Sequence, residues 1–579
     1  MKLSDRNTNL PLALAYLAVL QPGIATAYPP SSPRRHSGSG NDAFQLQFDA
    51  SPSGASIPHS NSFSSFSFEP AFWVEFFGNA SAPNELAFSL LGLLVEHGSR
   101  PIVRPGGITM DSMIFDASAG DPVRTTDAEG GVYRTTFGPA FYQSWNNFPA
   151  STRFVSTLNF GNDSLDIARD LAVASVKYQS GKVSYFELGN EPTNYPSERW
   201  DNSTDAYVAQ WLDWTAAIDT AVDIETVGLS LPKNRWWASS ATTDVTGLHV
   251  RPVDLIPADI DRKGQVAEYS IHSYAFATCD PARAALATIP NILNHTELTR
   301  YAVEEIYPSA RAALDAGTPW IIGEFNSIAC SGAPNVSDTF AQALWTVDVQ
   351  LIYASLNASS VHLHQGATLV FQSGDQVNSA GDDGTPGFST YDFVYPIDSP
   401  KRGEARALPS FAGLLYLAEA FASNSTRVRV LDVPEGIDGE RFSAYALYNA
   451  ADEVSKLAII NMNPLYQNST DDFSVRVDLS ALVGSTGRDN GWFSGRSWFG
   501  SHASDRGRAN RARVSLKRMT AQVVDEKDSQ QVTWAGQSFK DGSASGKLQV
   551  ESVGQDGIVT IRGSEAVLIF FDQDEVYGL

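Results

Sequence analysis

Two glutamates, Glu191 and Glu324, each close an apolar run rich in β-branched and aromatic residues: Val183-Ser-Tyr-Phe-Glu-Leu-Gly-Asn-Glu-Pro192 and Pro319-Trp-Ile-Ile-Gly-Glu-Phe-Asn326. Runs of this kind read as buried parallel strands. A carboxylate at the C-terminal end of a barrel strand stands on the rim whose loops hold the substrate. Two of them, on separate strands, are the minimum equipment for cleaving a glycosidic bond: one protonates the leaving oxygen, the other attacks or supports the anomeric carbon. Strand-terminal acids tied up in salt bridges are the alternative, and it suits either glutamate alone better than the pair.

Other polar residues fall at comparable places. The first run, with Phe72-Trp-Val-Glu-Phe76, ends at Glu75; the second leads into Arg104-Pro-Gly-Gly-Ile-Thr-Met-Asp111. Asn190 precedes Glu191, His272 and Tyr274 close the sixth run, and His362 and His364 close the eighth. Members of a pair spaced by two share one face of a strand, here the barrel interior. His-x-His invites a zinc reading, but that needs further His or Asp ligands at other strand ends. The first run ends in Glu75 instead, so no metal is expected, and nothing calls for a cofactor. His362 suits the core and the substrate equally; His364, nearer the rim, suits contact. Glu187 lies four residues before Glu191 on the same face and is a candidate to orient Arg104.

These residues need a scaffold. Candidate strands are 66–77, 101–104, 153–160, 183–188, 224–231, 268–274, 320–325 and 360–364, with helical periodicity over 84–97, 165–179, 204–221, 299–316 and 338–354. Eight strands alternating with helices predict a (β/α)8 TIM barrel over residues 61–405. Beyond it the alternation stops. Short strands separated by Gly, Asn and Asp predict a C-terminal β-sandwich over 406–579, joined by an early strand within 43–60.

At 579 residues with 43% hydrophobic content the chain is a multidomain globular protein. Lys2 and Arg6 precede the apolar run 10–20, and Ala25-Thr-Ala27 offers a cleavage site. Residues 1–27 therefore read as a signal peptide and 28–42 as a flexible leader, making a secreted protein with no membrane insertion. Eight Asn-x-Ser/Thr sequons fit a glycoprotein. A net charge of −24 argues against nucleic acid or an anionic membrane as partner. The basic stretch Arg506, Arg508, Arg511, Arg513, Lys517 and Arg518 reads as a solvated surface of the β-domain. Cys279 and Cys330 either pair or remain buried thiols. Both follow strand ends on one rim, which favours a disulfide.

Asn190-Glu191-Pro192 with a later Glu324 resembles the retaining barrel glycosidases of clan A. Arg104 to Asp111, Gly323-Glu-Phe-Asn326, Val336-Ser-Asp-Thr-Phe-Ala341, Val514 to Thr520 and Thr533-Trp-Ala-Gly-Gln-Ser-Phe539 resemble glycoside hydrolase family 79 in its fungal β-glucuronidase-like branch. The resemblance spans about residues 44–579 and implies double displacement, with Glu324 as nucleophile and Glu191 as acid/base. It implies that Asn190 meets the sugar 2-hydroxyl, that Tyr274 holds the nucleophile, and that Glu75 and Asp111 take other hydroxyls. A uronate would be held by backbone amides and a tyrosine hydroxyl, Tyr395 or Tyr391, in the loop after the eighth strand. The implied partner is a glucuronate-containing oligo- or polysaccharide, cut at terminal β-glucuronate with or without a 4-O-methyl group. The rivals are an endo-glucuronidase of heparanase type, a clan A enzyme on a neutral sugar such as arabinofuranose, and a glycan-binding pseudoenzyme. The last would be expected to lack one of the two glutamates.

Overall fold

The structure is a computed structural model that describes residues 43–48, 52–126, 134–227, 231–244, 247–368, 387–434, 436–480 and 514–571. The expected signal peptide and leader, Arg506 to Arg513, and part of the loop after the eighth strand lie outside these residues. Eight parallel strands close a barrel: β1 Ser64–Phe68, β2 Ile102–Arg104, β3 Arg153–Leu158, β4 Val183–Leu188, β5 Trp236–Ala241, β6 Val266–Ser273, β7 Trp320–Phe325 and β8 Val361–Gln365, in sequential order with β8 back on β1. Helices cover its outside, among them α1 Trp73–Phe77, α2 Glu85–Glu96, α3 Leu165–Gln179, α4 Thr204–Glu225, α5 Tyr307–Asp315 and α6 Phe340–Ser355. Asn84 and Ser203 cap α2 and α4 with side-chain oxygens that accept free backbone N–H groups.

Two expectations are corrected. The first strand stops at Phe68, because Pro70 has no N–H to continue a ladder, and Glu75 lies in α1 rather than at a strand end. The fifth strand is Trp236–Ala241 and not the expected 224–231, of which 228–230 lie outside the described residues. The periodicity of α4 runs on through Glu225, and Ile224 and Val227 are 70% and 84% exposed. The fifth strand is Trp-Trp-Ala-Ser-Ser-Ala, whose serines hide its strand character.

After the barrel, helix α7 Ser410–Ala420 packs on α6. A β-rich region follows, with β9 Arg427–Val430, β10 Phe442–Tyr448, β11 Val454–Asn461, β12 Val475–Asp478, β13 Ser515–Thr520, β14 Thr533–Trp534, β15 Ile558–Ile561 and β16 Glu565–Phe570. One sheet has the order β9-β10-β11-β16-β13-β14; β12 pairs β15 to face it. Phe44 bridges Val477, so the early segment lies on this region. Lys517 and Arg518 are engaged, with Glu419 and with Glu551 and Glu565. Two buried polar clusters tie the barrel side to the sheet: Asp348 accepts from Ser443 and Tyr445, and Glu419 from Lys517 and Trp534.

Candidate active site

The barrel interior is layered. Val155, Trp237 and Ile321, with Ile102 and Tyr185 against them, form an apolar floor. Two residues further along their strands the same faces carry Arg104 and Glu187. Arg104 is fully buried, and its fork meets four oxygen acceptors besides the sulfur of Met110. Nε donates to Glu187 Oε2 (2.5 Å), Nη1 to Glu324 Oε2 (2.8 Å) and Ser67 Oγ (3.0 Å), and Nη2 to Asn190 Oδ1 (3.0 Å). The Gly106-Gly107 pair makes this possible. A Cβ at 106 would stand 2.5 Å from the guanidinium carbon; one at 107, where φ is 144°, would stand 2.3 Å from Glu69 Oε2.

A bulge aims Glu324. With Ile321 facing the floor, strict alternation would turn Gly323 inward and Glu324 away. The pairing of β7 with β6 slips between Ile322↔Ile271 and Glu324↔His272, and this re-aims the glutamate. Glu191 is placed by a left-handed backbone (φ 50°), and its N–H donates to Ser240 O at 2.9 Å. Its Oε1 lies 3.0 Å from His272 Nδ1, and Oε2 accepts from Asn194. Tyr274 OH donates to Glu324 Oε1 at 2.9 Å. Carboxylate oxygens of Glu191 and Glu324 lie within 4.8 Å of each other. That is the close spacing of retaining enzymes, not the 6.5–9.5 Å or so that leaves room for a water in inverting ones.

The two carboxyls are poised oppositely. Burial raises Glu191 well above the usual carboxylate range, and the charge on Glu324 adds to it. Burial also pushes on Glu324, but neighbouring positive charge outweighs it and holds its carboxyl low. His364 and His272 are themselves driven down to about 4, chiefly by burial. Above that pH they are neutral, so Arg104 and the Tyr274 hydrogen bond keep Glu324 ionised. One acid stays protonated while its neighbour stays charged, a division of labour suited to acid and nucleophile.

The remaining expected residues are distributed unevenly. His364 sits between Glu324 and a residue the sequence reading missed, Glu69, at 3.7 Å from each. Glu69 directly follows β1, accepts from Thr109 N (2.7 Å) and Thr109 Oγ1, and is pushed up to about 8 by burial. It takes the strand-end place expected of Glu75; the signal was Phe68-Glu-Pro70, where proline marks the end. Asp111 faces Asn190, but its four lone-pair directions are met by Phe160 N, Gly161 N, Asn190 N and Tyr195 OH. Its position is that of a brace under Asn190. Tyr395 is turned towards Arg402 and Arg406, whereas the Tyr391 ring lies 6.4 Å from that of His364. His362 is a core residue, edge-on to Trp237 at 4.9 Å. Glu191, His272 and Glu324 could together offer three ligand atoms to a cation. The guanidinium of Arg104 already supplies the positive charge at Glu324.

Cys279 and Cys330 form a disulfide, with Cα atoms 5.9 Å apart. It joins the loops after β6 and β7, where residues Phe276–Ala277 pair with Ile328–Ala329. The bond thus braces the segments that carry Tyr274 and Glu324. Mass spectrometry of the denatured, unreduced protein should find no free thiol. Reduction should cost about 4 kcal/mol of stability, for the 51-residue separation, on the chain-entropy model.

Residues 444–568 match the glycosyl hydrolase family 79 C-terminal beta domain. A β-glucuronidase of Aspergillus niger is 28% identical over 542 residues, covering 88% of this chain and 90% of that protein. Among solved structures, a 4-O-α-L-rhamnosyl-β-D-glucuronidase from Fusarium oxysporum, in complex with Rha-GlcA, superposes with a TM-score of 0.69 at 20% identity, over 91% of this chain and all of that one. A family 51 α-L-arabinofuranosidase of Bifidobacterium longum shares the fold more loosely, with a TM-score of 0.52 at 15% identity over 92% of this chain and all of that one. The chain is a glycoside hydrolase, and what it resembles is family 79 in its fungal β-glucuronidase-like branch.

Proposed function

We propose that the chain is a secreted retaining β-glucuronidase that releases terminal glucuronate, with or without a 4-O-methyl group, from glycans. The observation that carries the mechanism is the pair Glu191 and Glu324, oxygen to oxygen within 4.8 Å and poised to opposite protonation states. The similarity to fungal β-glucuronidases supports the sugar. Glu324, ionised beside Arg104 and Tyr274, attacks the anomeric carbon while the protonated Glu191 delivers its proton to the leaving oxygen. Glu191 then deprotonates the water that hydrolyses the glycosyl-enzyme. Asn190, held by Arg104 and Asp111, meets the sugar 2-hydroxyl, and His364 and Glu69 line the far side. Tyr391 rather than Tyr395 offers its hydroxyl to the uronate, a choice supported by its ring lying beside His364 while Tyr395 is engaged by Arg402 and Arg406. The apolar run 10–20 supports secretion, and no helix among the described residues is long and apolar enough to cross a membrane.

The test is kcat/KM on nitrophenyl β-glucuronide, β-galacturonide, β-glucoside and α-arabinofuranoside across acidic and neutral pH. The glucuronide should exceed the glucoside by about 100-fold or more, since a site built for a carboxylate leaves polar groups unpaired around a neutral sugar. Both rates should be highest at acidic pH, where Glu191 holds its proton, and the anionic sugar gains further because the net charge of −24 is partly neutralised there. A glucoside rate equal to or above the glucuronide rate would refute the uronate and leave the retaining mechanism standing.

A further inference from the structure

Glu187 is a fully buried acid with no place in double displacement. Its Oε2 accepts from Arg104 Nε at 2.5 Å and its Oε1 from Ser240 Oγ at 2.6 Å. The carbonyl of Ser240 accepts the backbone N–H of Glu191, and Arg104 reaches on to Glu324 and to Asn190, the residue before Glu191. The contacts form a closed circuit: Glu191 backbone, Ser240, Glu187, Arg104, then back to Asn190, with Glu324 on the same guanidinium. The backbone at this point is bent against its preference. Ser239, Ser240 and Glu191 have φ of 82°, 49° and 50°, and the pairing of β5 with β6 slips between Ser239 and Ala241. Residues other than glycine keep such conformations only where the surrounding structure holds them. Here the hydroxyl of Ser240, anchored on Glu187, is what holds the bulge.

We propose that Glu187 and Ser240 are positioning residues of the reaction: they fix the acid/base backbone through the bulge in β5, and the charge of Glu187 offsets that of Arg104. The inference rests on the reading of Glu191 as acid/base and Glu324 as nucleophile. Arg104 lies between two carboxylates. With both present, its charge on Glu191 is partly offset; with Glu187 neutral, the excess reaches further. Charged groups that act on Glu191 are Glu324 on β7, Arg104 on β2 and Asp244 after β5, and Tyr274 beyond β6 faces it as a phenol that burial keeps neutral. His272 on β6 is in contact with it but is neutral above about 4, and Tyr207 on α4, near Glu187, stays a neutral phenol. Arg104 lowers the Glu191 pKa, so removing the charge of Glu187 lowers it further. The acid then loses its proton at a lower pH, and the basic limb of kcat/KM moves down.

Glu187→Gln should move that limb to lower pH by about one unit, with KM little changed at the acidic optimum. Ser240→Ala keeps the charge and frees the bulge. It should lower kcat/KM about tenfold on nitrophenyl glucuronide, which needs a proton on its leaving group, and far less on dinitrophenyl glucuronide, which does not. A merely structural role would depress both substrates alike and leave the limb in place. An unmoved limb in folded Glu187→Gln overturns the charge balance. Should that variant fail to fold, Ser240→Ala decides, and equal losses on the two leaving groups overturn the inference. Glu191→Gln, measured alongside, keeps the two failures apart. If it retains the wild-type leaving-group dependence, the acid/base reading itself fails; if that dependence steepens while the other two variants match wild type, only the positioning inference falls.

Discussion

Replacing Glu324 by alanine is expected to abolish turnover of nitrophenyl β-glucuronide, by on the order of 10⁴-fold or more, as for removal of a covalent nucleophile. The protein should still fold. Arg104 keeps its second carboxylate, Glu187, so the substitution leaves no unpaired buried cation. The vacated volume lies beside Tyr274 and Arg104, and azide should enter it and attack from the face opposite the leaving group, where Glu191 still donates its proton. The product would be the α-glucuronosyl azide, of inverted configuration. Activity near wild type would end the assignment of Glu324, and an azide product of retained configuration would exchange the roles of the two glutamates.

How much of this was legible in the sequence depends on what fixes each feature. The barrel was legible because β3, β4, β6, β7 and β8 are short runs rich in aromatic and β-branched residues, and α3 and α4 have clean periodicity. Both carboxylates were legible because each follows such a run abruptly. The fifth strand was not: serines at its bulge cut its apolar run to Trp-Trp-Ala, while the end of α4 mimics a strand. Glu75 was mistaken for Glu69 for a related reason. Aromatic residues recur throughout 63–77, on the strand and the helix alike, and only Pro70 says where the strand ends and the helix begins.

The electrostatics were the least legible part. Alternation along β4 placed Glu187 inside the barrel, and Arg104 was a natural partner for it. Nothing local revealed that the guanidinium serves two acids and an amide at once, since that depends on three strands converging. The choice between Tyr391 and Tyr395 has the same character. The two are four residues apart in an irregular loop, and Arg402 and Arg406, which engage Tyr395, come from later in the chain. Bulges are likewise invisible to a period-two reading, yet one aims Glu324 and another seats Glu191.

Glu191→Gln should separate the two halves of the reaction. Glutamine keeps the shape and the contact with Asn194 but can neither donate a proton to a leaving oxygen nor take one from water. On nitrophenyl β-glucuronide, whose departure needs protonation, kcat/KM should fall by about 10²–10⁴-fold. On dinitrophenyl β-glucuronide the first displacement by Glu324 proceeds unaided, so kcat/KM should stay close to wild type while kcat collapses, because no base activates the hydrolytic water. The glycosyl-enzyme then accumulates, and a burst of dinitrophenolate should precede the slow steady state. Azide needs no base and should restore kcat, giving the β-glucuronosyl azide, the anomer opposite to that formed by Glu324→Ala. The pH profile carries an independent check. In wild type, activity is lost as pH rises through the raised pKa of Glu191, since the deprotonated form cannot donate. Glutamine does not titrate, so that limb should disappear in the variant. A variant that keeps both the limb and the wild-type response to leaving group would place the acid/base elsewhere in the site.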